Sequence, residues 1–425
     1  MRAYEEYKDS GYDWLGKIPA HWRKTKLREL TKESNERRGQ RQDLELLSVY
    51  REFGVIIKNS RDDNHNSESE DTSNYKYVNK DYLVINKMKL WQGSLGISEF
   101  EGIVSPAYIV CKITKEINTR YLNYLLRSPL FKTYYNRISY GIRVGQWDSD
   151  YDDLKQLDLF LPPREEQDAI VRFLDAKCAM IDRLIKLKER QIELLNEKKQ
   201  NIINQAVTKG LDPHAPMKDS GVDWIGEIPE GWEIERCKYL FAETNFRSER
   251  GEETHLSMSQ KYGLVPDSML DERRRLSESY EGGKLCSKDD LVLNRLKAHL
   301  GVFALASQDG VISPDYTVLS VNKKKLLPEY AEAILKSHPC RRELIIRVRG
   351  IVEGFWRLYT EDFNTIKLPL PSLEGQKKIM DFISELAVAT KSKVTFLERN
   401  IELIKEYRQR LISDAVTGKS NVTAS

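Results

Sequence analysis

Little in this chain points to chemistry of its own. No run approaches the roughly 18 consecutive apolar residues that a membrane helix requires. The opening MRAYEEYKDS is too polar for a signal peptide, so a cytoplasmic protein without membrane contact is expected. The five cysteines, Cys111, Cys178, Cys237, Cys286 and Cys340, are odd in number and tens of residues apart. That spacing excludes a disulfide framework and a CxxC zinc site and leaves ordinary buried or half-buried thiols. The six histidines are scattered, without HExxH or paired metal spacing. P-loop, GxGxxG and GxSxG patterns are absent. GSLGIS and YGIRVG lack the third glycine of a cofactor loop and read as turns, while DSDYDDL at 148–154 reads as a solvated turn or helix cap. One-signed charge is missing too: the net charge is +3 although 31% of the 425 residues are charged. Affinity for nucleic acid would therefore have to come from local patches.

What the chain does have is itself, twice. KDSGYDWLGKIPAHW at 8–22 returns as KDSGVDWIGEIPEGW at 218–232, identical at ten of fifteen positions. Further blocks pair in the same order. DYLVINKMK at 81–89 meets DDLVLNRLK at 289–297, and GIVSPAY at 102–108 meets GVISPDY at 310–316. GIRVGQW at 141–147 meets GIVEGFW at 350–356, and LDLFLPPREEQDAI at 157–170 meets IKLPLPSLEGQKKI at 366–379. RQIELLNEKKQNIINQAVT at 190–208 closes the series against RNIELIKEYRQRLISDAVT at 399–417. Six of the seven tryptophans pair across the copies. The period is domain-sized, which excludes a solenoid of 20–50-residue repeats.

Each copy changes texture partway. Short runs such as YLVIN, IVSPAYIV and VISPDYTVL between Gly and Pro turns read as strands, and TRYLNYLLRSPLFKTYYNRI reads as a helix. The prolines at 162–163 and 371 then end a mixed α/β (α+β) domain and open a long helix. In the second helix Val394, Leu397, Ile401, Ile404 and Leu411 make a narrow apolar stripe with Arg408 at its one polar position. In the first, Ile185, Ile192, Leu195 and Ile202 do the same, with Lys188 and Lys199 polar. Such a stripe is the seam of a coiled coil. From Asp175 to Thr208 the first helix would span about 50 Å at about 1.5 Å per residue. The expected fold is two α/β recognition domains separated by two long antiparallel coiled-coil helices related by a pseudo-twofold. The expected boundaries are 1–163, 164–212, 213–371 and 372–419, with a disordered tail at 420–425.

Basic residues gather in the globular parts: Arg37, Arg38 and Arg41 in one, Arg273 to Arg275, Arg341, Arg342, Arg347 and Arg349 in the other. Inside the repeated boxes Lys87 and Lys89 align with Arg295 and Lys297. Lysine and arginine at strand ends suit phosphate, and arginine suits guanine edges. The candidates for DNA contact are Lys87, Lys89, Arg143 and Gln146 in the first copy and Arg295, Lys297 and Arg349 in the second. Residues 33–75 and 243–280 differ most between the copies, as expected of two readers of one fold with different targets.

The run AVTKGLDPHAPMKDSGVDWIGEIPEGWE, the start LPPREEQDAIVRFLD and the boxes NKMKLWQGSLGIS and GIVSPAY together resemble the specificity subunits of type I restriction-modification systems, over essentially the whole chain. The resemblance implies a non-catalytic subunit with no cofactor of its own. Each domain would read one half of a bipartite, asymmetric site in double-stranded DNA. The paired helices would set the spacing and dock two methyltransferase subunits, which bring S-adenosylmethionine. Two motor-nuclease subunits, with ATP and Mg, would join where the complex also restricts. The second copy departs in reading LEGQ for REEQ and in carrying Val352 opposite Arg143, so the DNA contacts of the two halves are not expected to be equal.

Two other readings compete. A self-contained methyltransferase or nuclease would need a catalytic Asn/Asp-Pro-Pro-aromatic or a carboxylate-lysine cluster, yet the only Pro-Pro sits between Leu161 and Arg164. A coiled-coil scaffold without DNA recognition would have featureless tips, whereas these hold most of the tryptophan and the arginine clusters.

Overall fold

The computed structural model describes residues 2–58, 71–141, 147–259, 262–270, 280–350 and 356–423, with the side chain of His299 also left aside. The chain divides into two compact units that do not follow chain order. One holds Met1–Lys188 with Glu398–Ser425, and the other holds Glu189–Leu397. Each unit therefore combines an α/β domain with part of both long helices, Arg164–Lys209 and Leu373–Val416. Among the described residues no helix is long and apolar enough to cross a membrane.

In the first unit two four-stranded sheets face each other. One runs Gly54–Ile57, Glu45–Tyr50, Gly102–Val104, Lys76–Val78; the other runs Thr31–Glu33, Tyr108–Ile113, Leu83–Asn86, Leu95–Ile97. Val84 and Val110 of the second sheet join Leu47, Val49, Val55, Val78 and Val104 of the first in one buried cluster. The second unit shows why the strands read as unbroken apolar runs. Leu291 and Leu293 enter a cluster with Tyr330, Ile334 and Leu344 of the helices, whereas Val292 between them packs with Leu256, Ile312 and Val318. Alternate side chains of one strand thus serve opposite cores, and both faces are buried.

The helix expected over TRYLNYLLRSPLFKTYYNRI is two helices, Thr119–Leu126 and Phe131–Arg137. Pro129 lacks the N–H that would continue the ladder and pushes Ser128 out of helical geometry. The second unit breaks at the same place, between Pro328–Lys336 and His338–Arg347, where Ser337 caps the new helix through Cys340 N at 3.4 Å.

The box that opens each copy is a self-satisfied hairpin. Asp9 accepts from Gly11 N at 2.8 Å and Asp219 from Gly221 N at 2.9 Å. Lys8 Nζ donates to the carbonyl of Ala20 at 2.7 Å, and Lys218 Nζ to that of Glu230 at 2.6 Å. Gly11 and Gly221 lie at φ +78 and +63, where a side chain would be strained.

Two joints tie each domain to helix. The buried Gln167 of REEQ donates to Pro162 O at 2.9 Å and accepts from Asn118 N at 3.0 Å. Gln376 of LEGQ donates to Pro371 O at 3.0 Å and accepts from Leu327 N at 2.8 Å. The opposite helix is held by its last turn: Tyr121 donates to Val416 O at 3.1 Å, and Tyr330 to Val207 O at 2.9 Å. Carbonyls at a helix end lack partners within the helix, and a buried tyrosine supplies one in each unit.

In the first unit Arg408 meets Asp182 at 2.9 Å. Ile185, Ile401 and Leu411 are buried, and Ile404 is half-buried. In the second, Leu397 is buried, with Ile192, Leu195, Ile202 and Val394 half-buried. Of the tail expected to be disordered, residues 420–423 are described. Asn421 N donates to Arg2 O at 2.8 Å and Val422 is buried, a contact between the two ends of the chain that composition does not reveal.

One contact fixes the Glu45–Ile57 hairpin. Arg127 donates to the carbonyls of Leu95 at 3.1 Å, Arg51 at 3.2 Å and Glu52 at 2.8 Å. It does so across Gly54 at φ +77, where an added Cβ would overlap the guanidinium. Gly54→Ala is expected to cost about 1–3 kcal/mol, read as a lowered urea midpoint. An unchanged midpoint would mean that Arg127 can swing away without loss.

Candidate nucleic-acid interface

The two copies present the same basic loop. After Leu83–Asn86 the chain makes a short 3-10 turn, Leu90–Gln92, seated by the buried Leu90 and closed by Gly93 at φ 87. After Leu291–Asn294 the turn is Ala298–Leu300, seated by the buried Ala298 and closed by Gly301 at φ 79. Lys89 and Lys297 have nearly the same backbone, φ -125 and -124. Both are exposed and make no ion pair among the described residues. Lys87 pairs with Asp148 at 3.0 Å. Arg295 donates to Thr317 Oγ1 at 2.6 Å and to Glu243 at 3.2 Å. Arg349 is exposed, ion-paired to Asp362 and bridged through its backbone to Arg357. Arg143 and Gln146, with Val352 opposite, lie outside the described residues, as do Arg273 to Arg275.

The loop thus gathers Lys87 and Lys89 in one unit and Arg295 and Lys297 in the other. Beside the first stand two indoles in edge contact, Trp91 and Trp147, at 5.0 Å between centroids. Trp91 Nε1 is buried without a hydrogen-bond partner among the described residues.

A second basic feature escaped the reading of the sequence, which names Arg37 but not its partner Lys76, nor Arg247 and Lys284. Arg37 faces Lys76 across an antiparallel bridge, and Arg247 faces Lys284 across its counterpart. Lys76 and Lys284 are 8% and 3% exposed. Their closest carboxylates are Glu33 at 3.9 Å and Glu243 at 3.7 Å. Burial pushes both ammonium groups below the usual lysine range, with Arg37 and Lys87 adding to the effect in the first unit. In the second, Arg295 and Arg247 add to it. The signal was present: ESNER at 33–37 matches ETNFR at 243–247, and Lys76 and Lys284 share the offset of the strand box. Both sit at the margins of segments that otherwise differ.

No group of three His, Cys, Asp or Glu among the described residues is placed to hold a metal. All five thiols are buried, and burial pushes that of Cys286 up to about 12.

Paired α/β domains, each with a basic loop, suit binding to a polyanion. The family described as "Type I restriction modification DNA specificity domain" matches residues 19–197 and 234–399. The chain belongs to that family, as a specificity chain and not a catalytic subunit. It is 28% identical over 315 residues to the type I restriction enzyme MjaX specificity subunit of Methanocaldococcus jannaschii, covering 72% of this chain and 69% of that one. It is 23% identical to the MjaVIII specificity subunit of the same organism, with 82% of each covered. Among solved structures, one concerned with assembly and conformational transition of the type I system matches with a TM-score of 0.63 at 14% identity, over 94% of this chain and 98% of that one. The HsdS subunit from Thermoanaerobacter tengcongensis matches at 0.50 and 16% identity, over 97% and 100%. At such identities the structural matches speak to fold.

Proposed function

We propose that this chain is the DNA-reading subunit of a type I restriction-modification complex and reads a bipartite, asymmetric site in double-stranded DNA. Residues 1–163 would read one half and 213–371 the other. Helices 164–212 and 372–419, as an antiparallel coiled coil with a pseudo-twofold, would fix the gap. The observation that carries this reading is the double occurrence of one basic loop, Asn86–Gly93 and Asn294–Gly301, on one scaffold whose neighbouring segments differ. Phosphate contacts position a protein and base contacts specify. A shared scaffold with unlike inserts suits a two-part asymmetric target. Among the described residues Lys89 and Lys297 are the freest of the proposed contacts, with Lys87, Arg295 and Arg349 beside them and Arg143 and Gln146 in the matched box.

The chemistry belongs to partners. Two methyltransferase subunits would bind S-adenosylmethionine, and two motor-nuclease subunits, using ATP and Mg, would join where the complex restricts. Exposed apolar side chains on the helices of the first unit support docking there. Met180, Leu184 and Leu187 recur on one helix and Leu403 and Tyr407 on the other, at the three-to-four spacing of a helical face. All of this suits the cytoplasm.

The test is single-molecule mapping of modified bases in DNA from cells expressing the chain with its methyltransferase partner. Modified adenines should fall in one motif with two fixed halves and a constant gap. Modification scattered over unrelated sequences, or a motif with a single half, would refute the two-reader scheme.

A further inference from the structure

The Arg37–Lys76 and Arg247–Lys284 pairs are anomalous in a folded protein. Tyr77 N donates to Glu36 O and Arg38 N to Tyr75 O, both at 2.8 Å, so Arg37 and Lys76 face each other as a non-hydrogen-bonded pair. Leu285 N to Phe246 O at 2.8 Å and Ser248 N to Gly283 O at 2.9 Å frame Arg247 and Lys284 alike. In such pairs the side chains lie closest, and like charges directly opposite are destabilising. Here the like charges occur in both units at the same register, and one member of each pair is buried. A buried ammonium ordinarily demands a close carboxylate. Glu33 and Glu243 stand off at 3.9 and 3.7 Å. Glu243 is also shared with Arg295, and Lys87 is engaged by Asp148 rather than by Glu33.

The arginines are held for use. Arg37 donates Nη1 to the carbonyl of Asn74 at 2.7 Å, and Arg247 donates Nη1 to that of Gly282 at 2.8 Å. Each is exposed and fixed by a neutral acceptor, so its charge stays uncompensated among the described residues while its position is set. A buried lysine beneath a tethered arginine, with Lys87 or Arg295 alongside, forms an electropositive seat with one carboxylate at its edge. Arginine offers the fork that phosphate oxygens accept, and lysine the point charge.

We propose that each pair is a seat for one backbone phosphate of bound DNA, the same in both domains and indifferent to base sequence. This rests on the DNA-reading function above and adds a division of labour. The repeated charge cluster grips the backbone, and the segments that differ between the copies choose the bases. The DNA phosphate supplies the anion that the free protein lacks.

The test uses the full chain assembled with its methyltransferase partner, and the variants Arg37→Gln and Arg247→Gln, which change exposed side chains. Affinity is measured against salt on a duplex with the target motif and on a scrambled duplex. Each substitution should lower the slope of log affinity against log salt by about 0.9, as one lost phosphate contact does. It should weaken both duplexes by the same factor and leave the methylated motif unaltered. An unchanged slope, or weakening confined to the target duplex, overturns the proposal. Lys76→Met and Lys284→Met give a second reading that a merely structural lysine would not. The free chain should melt at a higher temperature while DNA affinity falls. A lower melting temperature with an unchanged salt slope counts against the seat. Were the unsubstituted complex to bind both duplexes equally, sequence reading would fail, yet the slopes on scrambled DNA would still decide on the phosphate seat. Absence of any DNA binding sinks both.

Discussion

Ile401→Asp is expected to cost about 3–5 kcal/mol, enough to separate the helices of the first unit. Ile401 is 7% exposed, and Leu411 and Ile185, at 3% and 8%, are buried in the same unit. Removing the isoleucine forfeits its transfer from water and leaves a space that the helix backbone cannot close. A carboxylate placed there adds a desolvation cost with no basic partner. The neighbouring Arg408 is already committed to Asp182. Leu403, only two residues away but 47% exposed, supplies the control. Leu403→Asp should stay within about 0.5 kcal/mol of the parent, as surface changes do. Urea denaturation of the two variants should therefore give clearly separated midpoints. Coincident midpoints would show that the apolar stripe is not where the helix packs.

The second large effect is on assembly. Leu184 and Leu187 are 43% and 60% exposed on the first helix, so the double change to aspartate should leave the free chain's melting temperature nearly unaltered. Docking of the proposed methyltransferase subunit would bury those positions. Each leucine contributes about 1.5–3 kcal/mol when fully covered, and each aspartate would enter the interface without a designed partner. Association is expected to weaken at least hundredfold, about 2.7 kcal/mol. Sedimentation of the mixed subunits measures it, with circular dichroism melting as the control for folding. An unchanged complex would move the docking surface elsewhere.

The features that could be read from the sequence were those written as periodicity or identity. Leu291, Val292 and Leu293 announce a strand buried on both faces because β-branched and leucine side chains fill both cores. The apolar spacing from Val394 to Leu411 announces a helix because it fits no strand. Long-range polar geometry was harder to read. Nothing about Glu166 in isolation says that it accepts from Tyr4 Oη at 2.6 Å and Trp22 Nε1 at 3.1 Å while its counterpart is Gly375. Pro129 lies plainly in the sequence, yet the break it marks was absorbed into one expected helix because the apolar spacing continues across it. The Arg37–Lys76 cluster was hidden differently. Its members sit 39 positions apart at the borders of dissimilar segments, so dissimilarity between the copies drew attention away from what they share.

The discontinuous make-up of the first unit also sets a timetable for biosynthesis. Val416, the acceptor for Tyr121, and Asn421, the partner of Arg2, are translated after the whole of the second unit. At about 5–20 residues per second, a ribosome that has finished residue 188 needs on the order of ten seconds or more to deliver them. During that interval the Tyr121 hydroxyl lacks its acceptor and Ile185 lacks the cover of the second helix. The second unit, by contrast, is contiguous from Glu189 to Leu397 and can close as soon as its last residues emerge. The half of the molecule made first is thus the half finished last, and its nascent form is the one that a chaperone would have to shield.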